Sequence, residues 1–147
     1  MGLTIRGDWK DAPEWDMGYG SFFRLRRDIA YSVSEEFGNH YANLIHLNHF
    51  NDDGSYDKET ERLIRKYHCK KRFLDFLYSP DAGYRLSPKK CEAVLNQIAY
   101  GEDAKEEHGN IDTLYGYTAY PEHCMKMSDF ICLLVDCKNK KKYLVWY

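Results

Sequence analysis

The segment between Gly18 and Gly38 constrains this chain more than any other, because it carries a clear helical period together with a start and a stop. Phe22, Leu25, Ile29 and Val33 fall on one face at helical spacing, with Arg26 and Ala30 at its margin. Ser21 offers the hydroxyl with which an N-cap accepts a backbone N–H of the first turn. Gly38 stands where a left-handed C-terminal cap belongs. These features predict one helix of about 16 residues, roughly 24 Å long. Gly18 and Gly20 ahead of it let the backbone approach another group closely, and the unpaired N–H groups of a helix N-terminus attract anions. Arg24, Arg26 and Arg27 add positive charge nearby. The competing expectation is that Phe22 and Leu25 are core and the arginines a solvated rim, with Asp28, Glu35 and Glu36 diluting the basic character.

At 147 residues the chain fits one domain, residues 1–147, and folding can bury roughly two-thirds of the surface of the unfolded form. A core is then attainable without a disulfide or a metal. Twenty-one basic against 23 acidic residues give a net charge of −2, which argues against a general nucleic-acid coat and against a polybasic membrane binder. No apolar run approaches the roughly 18 residues that cross a membrane. The five cysteines, at 69, 91, 124, 132 and 137, are odd in number and contain no Cys-x-x-Cys pair. With no signal peptide at the start, they predict buried thiols in a reducing cytoplasm. Aromatic residues make up 16%, including 13 tyrosines, whose polar-tipped rings serve either in a core or on a stacking surface.

Along the chain, Met1 to Arg6 alternates as a short edge strand would. Residues 7–17, with Gly7, Pro13 and several acidic groups, predict a loop that carries Trp9 and Trp15. Beside the Gly18–Gly20 turn, two tryptophans can line a pocket as well as plug the core. Ala42 to Phe50 fits a strand or a short helix, and Asn51-Asp52-Asp53-Gly54-Ser55 a turn. Glu59 to Tyr78 predicts a helix broken near Cys69, apolar at Leu63, Ile64, Tyr67, Leu74 and Leu77. Its other face is basic, at Lys58, Arg62, Arg65, Lys66, Lys70, Lys71 and Arg72, and is either solvated or in contact with phosphate. Ser79 to Tyr84 is a turn. Ser87-Pro88 begins a helix that buries Cys91, Val94, Leu95 and Ile98 and stops at Gly101. Residues 102–117 predict a loop, Pro121 the start of a last helix with Met127, Phe130, Ile131, Leu134 and Cys137 inward, and Tyr143 to Tyr147 a terminal strand. The expected fold is α+β and mainly helical, about four helices with a few short strands at the termini.

No motif in the chain names a reaction. His40, His46 and His49 lack the i, i+4 pairing of a His-Glu-x-x-His zinc helix. Asn51 to Gly54 lacks the oxygen spacing and closing glutamate of a calcium loop. No metal or cofactor is expected. Cys91, Cys132 and Cys137 sit on apolar faces, and adjacency to His123 does not bring Cys124 against an imidazole. Gly-x-Ser-x-Gly, Walker and dinucleotide patterns are absent.

Met1-Gly2-Leu3, followed by Tyr19, Ser21, Phe22, Leu25 and Arg26, resembles a family of small uncharacterised bacteriophage and prophage proteins. Those proteins open with Met-Gly-Leu and enter a Gly-x-Tyr-Ser-x-Phe-x-x-Phe-Arg helix. A second likeness is the turn Asp81-Ala82-Gly83 leading through Ser87-Pro88 to Cys91; the family's turn is richer in aspartate. The resemblance implies a phage protein in the host cytoplasm. Phage proteins of this size without catalytic motifs are frequently binders that neutralise host defences. The chemical types for such a site are Trp9, Trp15, Tyr19 and Phe22 as plates with Arg24 and Arg26 for phosphate. The expectation is therefore a non-enzymatic protein that sequesters a small anionic, nucleotide-type ligand, such as a host immune signal, in a homo-oligomer. The alternatives are a protein-binding inhibitor of a host defence component and a small hydrolase or nuclease.

Overall fold

A computed structural model describes residues 2–43, 49–80, 82–108 and 125–147, with residues 99–108 described as backbone only. Gly2–Gly7 forms β1, Glu14–Gly18 β2 and Tyr19–Tyr31 α1. Glu35–Ala42 is α2, Lys58–Lys66 α3 and Lys71–Leu77 α4. Tyr84–Leu86 is β3, Pro88–His108 α5, Met127–Lys140 α6 and Leu144–Trp146 β4. The fold is α+β. Among the described residues there are six helices rather than about four, and β3 lies away from both termini.

The sheet runs β2-β1-β4-β3, each pair antiparallel. Leu3, Ile5 and Gly7 alternate inward on β1, opposite Met17, Trp15, Trp146 and Leu144. The expected edge strand is an inner one, because β4 docks on its second side and continues past its end through Thr4 N–H to the Tyr147 carbonyl at 2.8 Å. The expected loop of residues 7–17 is also corrected. Its last four residues, with Gly18, form β2, where Trp15 and Met17 face inward and the acidic residues face outward. Thr4 Oγ1 donates to Asp16 at 2.6 Å and Arg6 pairs with Glu14 at 3.6 Å. Cross-strand partners thus absorb the charges that made the segment read as a loop.

The long helix predicted from Ser21 to Gly38 divides in two. Gly18 is the N-cap, without a side-chain bond, and Ser21 sits inside the first turn of α1. Ser34 Oγ accepts from Phe37 N–H at 2.9 Å and starts α2, with Glu35 and Glu36 at its positive end. Gly38 is no C-cap but lies within α2. A Cβ there would come within 2.0 Å of the Tyr31 ring, so the glycine is required by close packing of α1 and α2. The predicted break near Cys69 is present. His68 takes a left-handed φ of 54° and Cys69 N–H bonds back to the Ile64 carbonyl at 3.0 Å, closing α3. Ser87 Oγ accepts from Lys90 N–H at 3.3 Å and Pro88 opens α5 as expected. The helix then runs past Gly101 to His108; residues 102–108 correct the expected loop. A glycine costs only about 1 kcal/mol in a helix, and Glu102 to Glu107 is rich in good helix formers. Residues 109–117, the Pro121 start, Cys124 and His46 lie outside the described residues.

Trp146 joins the layers. It is 1% exposed, meets Phe22 edge-on at 5.3 Å, Phe76 at 6.2 Å and Tyr84 at 5.2 Å, and donates its indole N–H to the Pro80 carbonyl at 3.0 Å. Helix α6 packs on β1, β4 and α5, and α5 on α4.

Candidate functional site

The six residues expected to share one pocket are spread over the β1–β2 turn, β2 and α1. Trp9 lies in the β1–β2 turn, where its ring covers Gly7 and lies 5.5 Å from Lys140 Nζ. Tyr19 begins α1 at the other end of β2, roughly 16 Å of strand away. Trp15 packs half-buried on the core beside Ile5. Phe22 is wholly buried against Trp146. Arg26 is 3% exposed, stacks over the Phe22 ring at 4.5 Å and donates to the Ser79 carbonyl at 2.7 Å. Arg24 is half-buried, with no hydrogen bond or ion pair among the described residues. Phe22 and Arg26 do meet, but in the interior, where the guanidinium ties α1 to the turn after α4. Burial turns Phe22 and Arg26 inward, whereas Trp9, Trp15, Tyr19 and Arg24 stay partly exposed.

A cavity of about 570 Å³ opens elsewhere, between the α3–α4 corner and α5, within the size range of small-molecule sites. One wall is Tyr67 and His68 at the end of α3 with Lys70, Lys71 and Arg72 leading into α4; the other is Ala93, Asn96 and Gln97. Ala93, Asn96 and Gln97 share a face of α5 because they are spaced i, i+3, i+4. Among the described residues no carboxylate lines the cavity. Lys71 shares Asp75 with Lys90, each at 3.2 Å, whereas Lys70 and Arg72 have no acidic partner among the described residues. The left-handed turn at His68 swings the chain from α3 into α4 and so brings Tyr67 and Lys70 to one rim.

The aromatic wall is braced from behind. Glu36 of α2 accepts from the Tyr67 hydroxyl at 2.6 Å, from Lys66 at 2.7 Å and from Arg62 at 2.7 Å. Lys66, Tyr67 and Arg62 together hold the Glu36 carboxyl down at about 2, and Glu59 accepts from the same Arg62 Nη2 at 2.7 Å and from Nε at 3.1 Å. Two of the seven basic residues on this face therefore serve the scaffold. Burial pushes the Cys69 thiol up to about 11, so the thiol beside the rim stays protonated at neutral pH and is a poor nucleophile.

A second constellation lies at the other end of α2. The rings of His40 and His49 stack at 4.2 Å. His40 Nε2 lies 2.7 Å from Thr60 Oγ1, and His49 Nδ1 lies 3.4 Å from the Tyr78 hydroxyl. Burial, followed by the neighbouring His40, lowers the His49 pKa from its ordinary value. Stacked rings do not converge their nitrogens on one point, and the described residues hold no metal-binding cluster.

Reading the basic run as phosphate-contacting anticipates Lys70, Lys71 and Arg72. Tyr67, Asn96 and Gln97 escape it. The small residue followed by two amides on one face of α5 is a local signal for a lined wall, but nothing local reveals what stands opposite. No described helix is long and apolar enough to cross a membrane. Comparison of the chain with family models, with curated proteins and with solved structures finds no match.

Proposed function

We propose that the protein is a non-enzymatic binder that holds a small anionic, nucleotide-type ligand in the cleft between the α3–α4 corner and α5. The observation that carries this reading is the cleft itself, with cationic side chains along one rim, an aromatic wall and no carboxylate among the described residues of its lining. Such a lining suits a phosphate-bearing molecule, because Lys and Arg donors form charge-assisted bonds to phosphate oxygens. The resemblance of the N-terminal segment to phage proteins supplies the setting: sequestration of a host immune signal in the host cytoplasm, by an oligomer. Incubating the protein with cyclic nucleotides and ADP-ribose isomers, then releasing bound material by heat, tests the reading. Intact ligand is the expected product, and Lys70→Ala/Arg72→Ala should weaken uptake at least tenfold, about 1.4 kcal/mol. Recovery of altered ligand would instead make the protein a hydrolase.

A second reading, a protein-binding inhibitor of a host defence component, draws on the outer face of β4. There Tyr143, Val145 and Tyr147 follow one another at strand spacing, the two tyrosines 40% and 60% exposed. Failure of every nucleotide to bind, together with capture of a host protein that Tyr147→Ala abolishes, would favour this reading.

A further inference from the structure

The cleft is chemically lopsided, and this sets the kind of ligand it takes. This inference rests on the reading of the cleft as an anion site and asks what the far end of the anion is. The cations lie on the α3–α4 side, whereas α5 opposes them with Ala93, Asn96 and Gln97, all uncharged. Neither amide has a hydrogen-bond partner among the described residues, so each presents a free carbonyl oxygen and a free NH2 group. A site for bare phosphate or a phosphorylated sugar would be served by donors alone. Paired donor and acceptor groups instead match a planar edge that offers an acceptor beside a donor, as adenine does at N7 and N6, the pairing that Asn and Gln side chains make in nucleic-acid recognition.

Tyr67 supplies the third element. Its hydroxyl is anchored on Glu36 at 2.6 Å, and the Lys66 ammonium lies 5.3 Å from its ring centroid. The ring is thus held in place before any ligand arrives, which lowers the ordering cost of stacking a base on it. Ala93 across the cleft has only a methyl group and leaves depth for a flat ring. We infer that the α5 wall reads a nucleobase: Asn96 and Gln97 contact its hydrogen-bonding edge, Tyr67 its face, and Lys70 and Arg72 the phosphate attached to it.

Calorimetric titration of the full chain with adenosine monophosphate, ribose 5-phosphate and inorganic phosphate tests this. Adenosine monophosphate should bind at least tenfold tighter than ribose 5-phosphate. The variant Asn96→Ala/Gln97→Ala, whose alanines favour the helix, should bring adenosine monophosphate down to the level of ribose 5-phosphate and leave ribose 5-phosphate unchanged. Equal affinity for the two in the native protein, or a preference that survives in the variant, would overturn base reading while leaving the cleft an anion site. Binding of none of the three would overturn both this inference and the reading on which it rests.

Discussion

Two groupings in this molecule use the same side-chain types for opposite ends. Around Trp146, a guanidinium lies over an aromatic ring, Arg26 above Phe22, and both are sealed from water. At the cleft, Tyr67 stands beside Lys70 and Arg72 with the ring half-buried and the cations exposed. The difference lies in what satisfies the charge. Arg26 donates to the Ser79 carbonyl, so its burial is compensated by a protein acceptor. Lys70 and Arg72 have no hydrogen-bond or ion-pair partner for their side chains among the described residues, as the proposed anion site requires. An aromatic and arginine cluster in a sequence therefore predicts a contact but not its role, since partner supply decides between strut and site.

The interior grouping depends most on Trp146. Removing its ring with Trp146→Ala takes away the contacts to Phe22, Phe76 and Tyr84, and should cost roughly 3–5 kcal/mol of stability in urea unfolding. A loss below about 1 kcal/mol would mean that the two layers do not depend on this residue. Next is Arg26→Ala, which leaves the Ser79 carbonyl without that donor and should cost about 1.5–3 kcal/mol of stability, with ligand affinity unchanged. Arg72→Ala should do the reverse, weakening uptake while moving the melting temperature by no more than about 1–2 °C, as surface substitutions do. If Arg26→Ala impaired binding and Arg72→Ala did not, the assignments of strut and site would have to be exchanged.

The His40–His49 stack responds to pH and buttresses α2, the helix whose Glu36 braces the cleft. His49 titrates below its ordinary value of 6.5 in the folded state, so the unfolded chain takes up the proton first. Its contribution to stability is complete above that value, declines as pH falls through it, and levels off below the lower folded pKa. Unfolding midpoints measured between pH 8 and pH 5 should fall, and His49→Leu should flatten the His49 part of that slope. A slope unaltered in His49→Leu would assign the pH dependence to other groups.

The smallest effect compares two left-handed corners. His68 and Lys141 both adopt positive φ, 54° and 56°, which costs a non-glycine residue about 1–2 kcal/mol. Lys141→Gly at the end of α6 should raise stability by about 1 kcal/mol and leave ligand uptake alone. His68→Gly should stabilise similarly but weaken uptake, because it removes a side chain from the rim. Equal uptake in both variants would remove His68 from the site.

Local signals in the sequence reach a definite distance. Ser87-Pro88, the break near Cys69 and the strand at Tyr143 to Tyr147 were legible, because each depends on a cap, a turn or an alternation within a few residues. Residues 14–17 were not, since Asp16 and Glu14 look like loop until Thr4 and Arg6 stand opposite them. Gly38 looked like a helix end because the ring it must avoid, Tyr31, lies across a helix–helix contact.

By itself, then, the sequence determined where backbone hydrogen bonds could begin and end and which faces would be apolar. It also determined that one face would be basic from Lys58 to Arg72. The tertiary structure alone decided that β4 enters beside β1, that Arg26 is enclosed, and that residues 67–72 face residues 93–97 across a cleft. Those outcomes depend on which surfaces exclude water from one another, and that exclusion joins residues far apart in the chain, beyond the reach of any local pattern.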